Sequence, residues 1–283
     1  MIFRTILFLI AISLPVISQN RLEKIILPGL EYTAGTRVQN AYRGVSFIIP
    51  RDWKGAMPPD QRVFLLSSNV KPGMGIAIFQ SAFSEEQIIQ FLSQSQNLGD
   101  NIILKPVGKP KVSGNKITME YTSMTNAGFA LALRGKFNNT VVFLFTGPAK
   151  QKNYYLQILE KIRPTVVFLS PNPKKLKTAW TDALSGKMLK KVSVEDDVGD
   201  YPTVMHLCAE GKTQIILPGD QVTIDSEPTL IDGFWEVETD AAQSYLVITP
   251  SKRKPVRARL NVMGSYVVLE NGRYYLSTST VCR

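Results

Sequence analysis

The sequence predicts an α+β protein with a mixed first half and a strand-rich second half. From residue 42 to residue 163, apolar strand patterns alternate with two amphipathic helix patterns. One further helix pattern begins near Pro173, and after it the chain contains only short, closely spaced strand patterns separated by turns such as Asn271-Gly272. This succession predicts a small, mostly β meander in the second half, either a barrel or a sandwich, with one leading helix.

The first 18 residues have the layout of a secretory signal peptide. Arg4 precedes an apolar run from Ile6 to Ile12, Pro15 interrupts it, and Ser18 stands before a cut at Gln19. The run is shorter than the roughly 20 apolar residues of a membrane-spanning helix. We therefore expect residues 1–18 to be a signal peptide, the protein to be secreted or periplasmic, and the mature chain to have no transmembrane segment.

Two sequence patterns in the first half indicate where its helices lie. Ser84-Glu85-Glu86-Gln87 is a capping-box start, and Val141–Phe145 is apolar on both faces, so something must cover each side of that strand. The predicted elements, in chain order, are a strand at 42–50, a turn at 51–55, strands at 64–66 and 75–79, a helix from 84 to about 98, a strand at 116–121, a hairpin of 129–136 and 141–145, and a helix at 151–163.

A polar, proline-containing linker at residues 170–173 predicts the domain boundary. Asn172 is expected to cap the next helix and Pro173 to occupy its first position. We therefore divide the chain into a signal peptide (1–18), an α+β domain (19–169) and a small β-rich domain (170–283). The strands predicted in the last of these are 204–208, 213–217, 233–238, 245–249, 256–262, 266–269 and 273–277.

The segment Tyr42-Arg43-Gly44-Val45-Ser46-Phe47-Ile48-Ile49-Pro50-Arg51-Asp52-Trp53, the later Gly108-Lys109-Pro110, and a hairpin followed by a terminal helix resemble the PsbP/Mog1-like superfamily in its bacterial exported branch. The resemblance covers about residues 40–168. It implies an α/β/α sandwich around an antiparallel sheet and an adaptor role. The superfamily has no shared active site, so the resemblance assigns no functional residues.

Positive charge is confined to the first half. Residues 19–168 contain 18 Lys/Arg and 9 Asp/Glu, a net charge of +9, whereas residues 169–283 contain 14 of each. For an exported protein this predicts an anionic protein or envelope polymer as partner, while nucleic acid is less accessible there. The candidate anion-binding residues are Lys105, Lys109, Lys111 and Lys116.

The chain has two cysteines, Cys208 and Cys282, both in the second half. An even count in an oxidising compartment favours a disulfide over two buried thiols. Closing a loop of about 74 residues would contribute roughly 4 kcal/mol of stability in the chain-entropy model.

Several other motifs favour a structural role over catalysis or ligand binding. His206, the only histidine, lies in an apolar strand without a Cys-x-x-Cys or a Gly-x-Ser-x-Gly motif nearby. Gly73-Met74-Gly75 lacks the third glycine of a dinucleotide fingerprint, the carboxylates of 195–200 lack EF-hand spacing, and the five cations of 252–259 fit a solvated hairpin. We predict no cofactor, no metal and no enzyme activity.

Aromatic residues of the second half suggest a different possibility. Gly233-Phe234-Trp235 resembles the Gly-x-Trp of lipocalins, although theirs lies near the start of the barrel and this one lies midway through the strands. The candidate cavity-lining residues are Trp235, Tyr245, Tyr266 and Tyr274.

Three functions therefore stay open. The first is a non-enzymatic exported adaptor that binds an anionic protein or polymer through its basic first domain. The second is a carrier of a small apolar or aromatic ligand in the β domain. The third is a secreted hydrolase with dispersed carboxylates, for which no pair is selected by the sequence.

Overall fold

The structure is a computed structural model that describes residues 23–58, 61–99, 102–192, 204–217, 229–240, 243–263, 266–270 and 272–282. It is mostly β, with 53% of the described residues in strands and 16% in helices. None of its described helices has the length and apolar character needed to cross a membrane. The predicted signal peptide lies outside the described residues.

Two sheets form the first part of the chain. A ten-stranded sheet has the order β2-β5-β6-β7-β13-β12-β11-β9-β8, with β10 paired to β11, and a four-stranded sheet has the order β1-β3-β4-β14. The strands are β1 (Lys24–Ile25), β2 (Glu31–Tyr32), β3 (Arg37–Asn40), β4 (Val45–Ile48), β5 (Trp53–Ala56), β6 (Val63–Ser68), β7 (Met74–Ser81), β8 (Gln96–Asn97), β9 (Ile103–Pro106), β10 (Lys111–Ser113), β11 (Lys116–Thr122), β12 (Asn126–Arg134), β13 (Asn139–Pro148) and β14 (Val167–Phe168).

The central strand β13 is covered on both faces, as its sequence predicts. Val141, Phe143 and Phe145 pack in one core cluster with helix α2 (Lys152–Ile162). Val142 and Leu144 pack in a second cluster with helix α1 (Glu85–Leu92). The alternation of a strand sends successive side chains to opposite faces, so one strand serves two cores.

Helix α1 begins at the predicted capping box. The Ser84 hydroxyl accepts a bond from the backbone N–H of Gln87 at 3.2 Å, and the Gln87 side chain accepts one from the Ser84 N–H at 2.9 Å. The helix ends at Leu92 rather than near residue 98, which corrects the prediction. The chain leaves the helix there because Gln96 and Asn97 pair with Leu104 and Ile103.

Two other boundaries also differ from the sequence prediction. The first predicted strand is shorter, because residues 41–44 form a turn with Gly44 at φ 65°. The predicted turn at 51–55 is confined to Arg51 and Asp52, and β5 begins at Trp53, whose ring is buried against Phe145.

The second part of the chain is a closed barrel of eight antiparallel strands in sequence order. This confirms the meander and selects the barrel over the sandwich. The strands are β15 (Lys187–Lys191), β16 (Val204–Leu207), β17 (Lys212–Leu217), β18 (Thr229–Asp240), β19 (Gln243–Pro250), β20 (Val256–Met263), β21 (Tyr266–Leu269) and β22 (Gly272–Thr278). The pairing of β15 with β22 closes the ring.

The leading helix α3 (Pro173–Leu184) contributes to the barrel core. Leu176, Trp180 and Leu184 lie in one cluster with inward-facing side chains of the strands. Asn172 does not cap this helix through its side chain, contrary to the prediction. Its backbone N–H instead donates to the carbonyl of Ala41 at 2.8 Å, which ties the start of α3 to the first part.

A short segment, Lys24–Tyr32, connects the two parts. Ile26 is buried in the core of the first part, whereas its neighbour Leu27 is buried in the barrel core. The carbonyl of Pro28 accepts a bond from the N–H of Val262 at 3.0 Å. We call residues 24–32 the strap. The proposed boundary at residue 169/170 stays a prediction, but a fragment beginning there would lack Leu27.

Tyr32 holds the strap in its conformation. Its hydroxyl donates to the carbonyl of Ile25 and accepts from the N–H of Leu27, each at 2.8 Å. Burial raises the pKa of Tyr32 to about 12, so the hydroxyl keeps its proton at neutral pH. The two bonds satisfy buried backbone groups that would otherwise be costly.

We predict that Leu27→Ala destabilises the full chain by about 2–5 kcal/mol, because it leaves a cavity in the barrel core. Leu30→Ala is the matched control, since Leu30 is 37% exposed, and it should change stability by about 0.5 kcal/mol or less. Urea unfolding followed by tryptophan fluorescence measures both. Equal effects of the two variants would contradict the assignment of Leu27 to the barrel core.

Candidate functional site

A basic groove lies between the four-stranded sheet and helix α2. Its volume is about 760 Å³, within the range of roughly 300–1,000 Å³ typical of ligand sites. We call it the groove. It is lined by Lys24, Ala34, Gly35, Thr36, Arg37, Ile48, Ile49, Pro50, Arg51, Asp52, Tyr154, Ile158, Lys161, Ile162 and Thr165.

The floor of the groove is apolar and firmly packed. Ile49, Ile158 and Ile162 are almost fully buried. Thr165 joins the end of α2 to β4, because its hydroxyl donates to the carbonyl of Ile162 at 2.7 Å and accepts from the N–H of Ile48 at 3.1 Å. The floor is therefore fixed by both a core and hydrogen bonds, and the polar side chains stand above it on a rigid base.

The walls carry four cations and one carboxylate. Lys24, Arg37, Arg51 and Lys161 face a single acidic lining residue, Asp52. Asp52 lies 3.9 Å from the Arg51 guanidinium, whose side chain is 95% exposed, so this ion pair contributes little. The groove thus keeps a positive charge that favours an anionic ligand.

Arg37 is held by contacts from one of its guanidinium nitrogens. Its Nη1 donates to the backbone carbonyl of Thr165 at 3.0 Å and lies 3.4 Å from the hydroxyl of Ser46. It forms no ion pair with any described carboxylate, although its side chain is half-buried. A guanidinium that is held by neutral oxygens and has no described counterion could accept an anionic partner.

Tyr154 adds an aromatic hydroxyl to the wall. The indole Nε1 of Trp53 donates to the Tyr154 oxygen at 3.0 Å, and the two rings stack with centroids 6.4 Å apart. The Lys71 ammonium lies 4.8 Å from the centroid of the Tyr154 ring. Because the hydroxyl oxygen accepts the indole proton, its own hydrogen can be donated to a ligand.

The predicted lysines lie at a different place, toward the end of the ten-stranded sheet that is formed by β8, β9 and β10. Lys105 and Lys111 are exposed on β9 and β10, Lys116 begins β11, and Lys109 lies between β9 and β10. We call these four the edge lysines. None of them lines the groove. A lysine on an edge strand, such as Lys111 on β10, also prevents that strand from pairing with other chains. Their role in anion binding stays a prediction.

The four aromatic residues proposed for a cavity do not share one space. Trp235 is buried in the barrel core, and its indole N–H donates to the carbonyl of Cys208 at 2.9 Å. Tyr274 packs on the same core. The Arg257 guanidinium carbon lies 3.3 Å from the centroid of the Tyr245 ring. Tyr266 pairs with Tyr275 at the surface.

The other motifs are placed as follows. Gly73 lies at φ 137° in the loop before β7, and Met74 and Gly75 belong to that strand. Residues 195–200 lie outside the described part of the chain. In the basic hairpin, Arg257 donates to Glu238 at 2.9 Å. No group of three potential metal ligands occurs among the described residues.

The predicted disulfide between Cys208 and Cys282 is confirmed, with the two Cα atoms 5.0 Å apart. His206 and Ser279 support it, since the Nδ1 of His206 lies 2.8 Å from the Ser279 hydroxyl. That hydroxyl also accepts the backbone N–H groups of Val281 and Cys282, at 3.1 and 3.0 Å. Both lone pairs of the serine are therefore occupied, and its proton is donated to a neutral His206.

Sequence reasoning identified the charged half of the chain but missed the groove. The groove residues come from four separated stretches, at residues 24, 34–37, 48–52 and 154–165, and no motif connects them. The surplus of cations in residues 19–168 was the available signal. The chain matches no protein-family model and no curated protein.

We predict that the His206–Ser279 pair makes stability depend on pH. Burial lowers the pKa of His206, so the unfolded state binds its proton at a higher pH than the folded state does. Stability should therefore fall as the pH drops below about 6.5, by at most about 1.4 kcal/mol per pH unit. A protonated Nδ1 would also face an oxygen whose lone pairs are occupied.

The matched variant is His206→Asn, which keeps a polar side chain that does not titrate. Urea unfolding of both proteins between pH 7.5 and pH 5 isolates the imidazole, because His206 is the only histidine. A constant difference in unfolding free energy between the two proteins across this range would refute the prediction.

Proposed function

We propose that this protein is an exported, non-enzymatic binding protein that holds an anionic protein or envelope polymer in the groove of its first part. The observation that carries the proposal is the set of four cations around one carboxylate in a groove with a rigid floor. The net charge of +9 in residues 19–168 adds long-range attraction for such a partner.

The proposed adaptor role agrees with the resemblance to the PsbP/Mog1-like superfamily. We propose that the first part is an α/β/α sandwich of this kind. The packing of α1 and α2 in separate clusters on opposite faces of β13 supports that arrangement. Export is supported by the disulfide, which is typical of oxidising compartments.

The carrier hypothesis has less support. Inward-facing barrel residues such as Leu207, Val237, Leu246 and Leu260 are fully buried in one cluster with α3. Small barrels of eight strands are often filled by their own side chains. The secreted hydrolase with dispersed carboxylates is also poorly supported in the groove, because Asp52 is the one carboxylate among the groove's lining residues.

The test compares two triple variants of the full chain that change the net charge equally. The groove variant carries Lys24→Glu, Arg51→Glu and Lys161→Glu. The edge variant carries Lys105→Glu, Lys109→Glu and Lys111→Glu. Both sets are exposed, so neither change should unfold the protein.

Binding to immobilised polygalacturonate, polyglutamate and polyphosphate is measured from about 0.1 to 1 M salt, over which the Debye length falls from about 10 to 3 Å. The groove variant should lose roughly tenfold or more in affinity at 0.1 M salt for the polymer that binds, because three contacts become repulsive. The edge variant should lose far less. A larger loss in the edge variant would place binding at the edge lysines, and no binding of any polyanion by the wild type would refute the proposal.

A further inference from the structure

Arg37 lines the groove and is held through only one nitrogen of its guanidinium. Its Nη1 is held by the Thr165 carbonyl at 3.0 Å and by Ser46 at 3.4 Å, while Nε and Nη2 have no hydrogen-bond partner among the described residues. Nε and Nη2 form the edge that matches the two oxygens of a carboxylate in parallel hydrogen bonds. The contacts at Nη1 therefore set the orientation of a second, open binding edge.

The surroundings of Arg37 suit a sugar better than a peptide. Thr36 and Tyr154 supply hydroxyl groups, and the half-buried Tyr154 ring and Ile48 supply apolar surface. An extended peptide would bind by adding a strand to a free sheet edge. Strands β3 and β4 are each paired on both sides within the order β1-β3-β4-β14, and the edge strands β1 and β14 are only two residues long.

We propose that the groove binds an acidic polysaccharide and that Arg37 anchors a uronate carboxylate through Nε and Nη2. This inference rests on the proposed function and adds the ligand class and the anchoring residue. Lys24 and Lys161 supply charge to neighbouring uronates without fixed geometry, since an ammonium on a flexible stem acts as a point charge.

The test measures the affinity of the full chain for a short galacturonate oligomer. The method is titration calorimetry at several salt concentrations. Arg37→Lys keeps the charge but removes the paired donors, so affinity should fall about tenfold while the salt dependence stays unchanged. Arg43→Lys is the matched control. Arg43 also lies in the first half, donates from Nη1 to a serine hydroxyl, Ser81, and does not line the groove. It should bind like the wild type.

The ligand controls are the methyl-esterified oligomer, which has no charge, and polyglutamate and polyphosphate. Esterification should abolish binding, and the two other polyanions should bind more weakly than the galacturonate. Equal or tighter binding of either would overturn the polysaccharide assignment. If Arg37→Lys binds like the wild type while the triple groove variant does not, the anchor is wrong but the proposed function stands.

Thermal melting checks that Arg37→Lys is folded. If it is not, the guanidinium Nε–H signal of Arg37 in the wild type provides a second readout by NMR. That signal should move when the galacturonate is added, and an unmoved signal at saturation would also overturn the proposal.

Discussion

The strap from Lys24 to Tyr32 is the constraint on which the arrangement of this protein depends. Its first residues form β1, which pairs in parallel with β3 and places Lys24 at the groove beside Arg37. Two residues later the chain supplies Ile26 to one core and Leu27 to the other. Because both side chains are buried, the strap cannot move without opening apolar surface in both parts.

The strap also explains how two unlike parts share one chain. Gly29 is at φ 85°, and a Cβ at this position would meet the carbonyl oxygen of Val262 at 1.4 Å. Only glycine allows the strap to approach the barrel so closely. The contact continues through Asn172, whose N–H binds the Ala41 carbonyl at the start of α3. The connection is therefore built from backbone contacts as well as from apolar burial.

The cations of the first part differ in how firmly the protein holds them. The edge lysines are solvated and fit the usual protection of an edge strand. In the groove, by contrast, Arg37 is half-buried and held by neutral oxygen atoms. An anion bound there would replace water around a fixed cation, so the preference that we propose for this site would come from orientation rather than from the number of charges.

The sequence predicted those elements whose signal is local. The capping box located α1, and the double-sided apolar pattern of β13 required cover on both faces, which α1 and α2 supply. It missed β15, because Lys187-Met188-Leu189-Lys190-Lys191 contains one fully buried residue and reads as polar. Barrel closure depends on pairing β15 with β22, about 90 residues later, and such long-range pairing has no local pattern.

The candidate site could be predicted only at the level of charge. The excess of cations was visible in the composition, but the position of Arg37 depends on the Thr165 carbonyl, which lies 128 residues further along the chain. The disulfide was predictable, because a chain with two cysteines has only one intramolecular pairing.

The most direct test of the central claim is a crystal structure of the full chain with a galacturonate oligomer. The account predicts that one carboxylate of the oligomer lies within about 3 Å of both Nε and Nη2 of Arg37, with the sugar ring over the groove floor. An oligomer bound along the edge lysines or inside the barrel, with the groove empty, would contradict it.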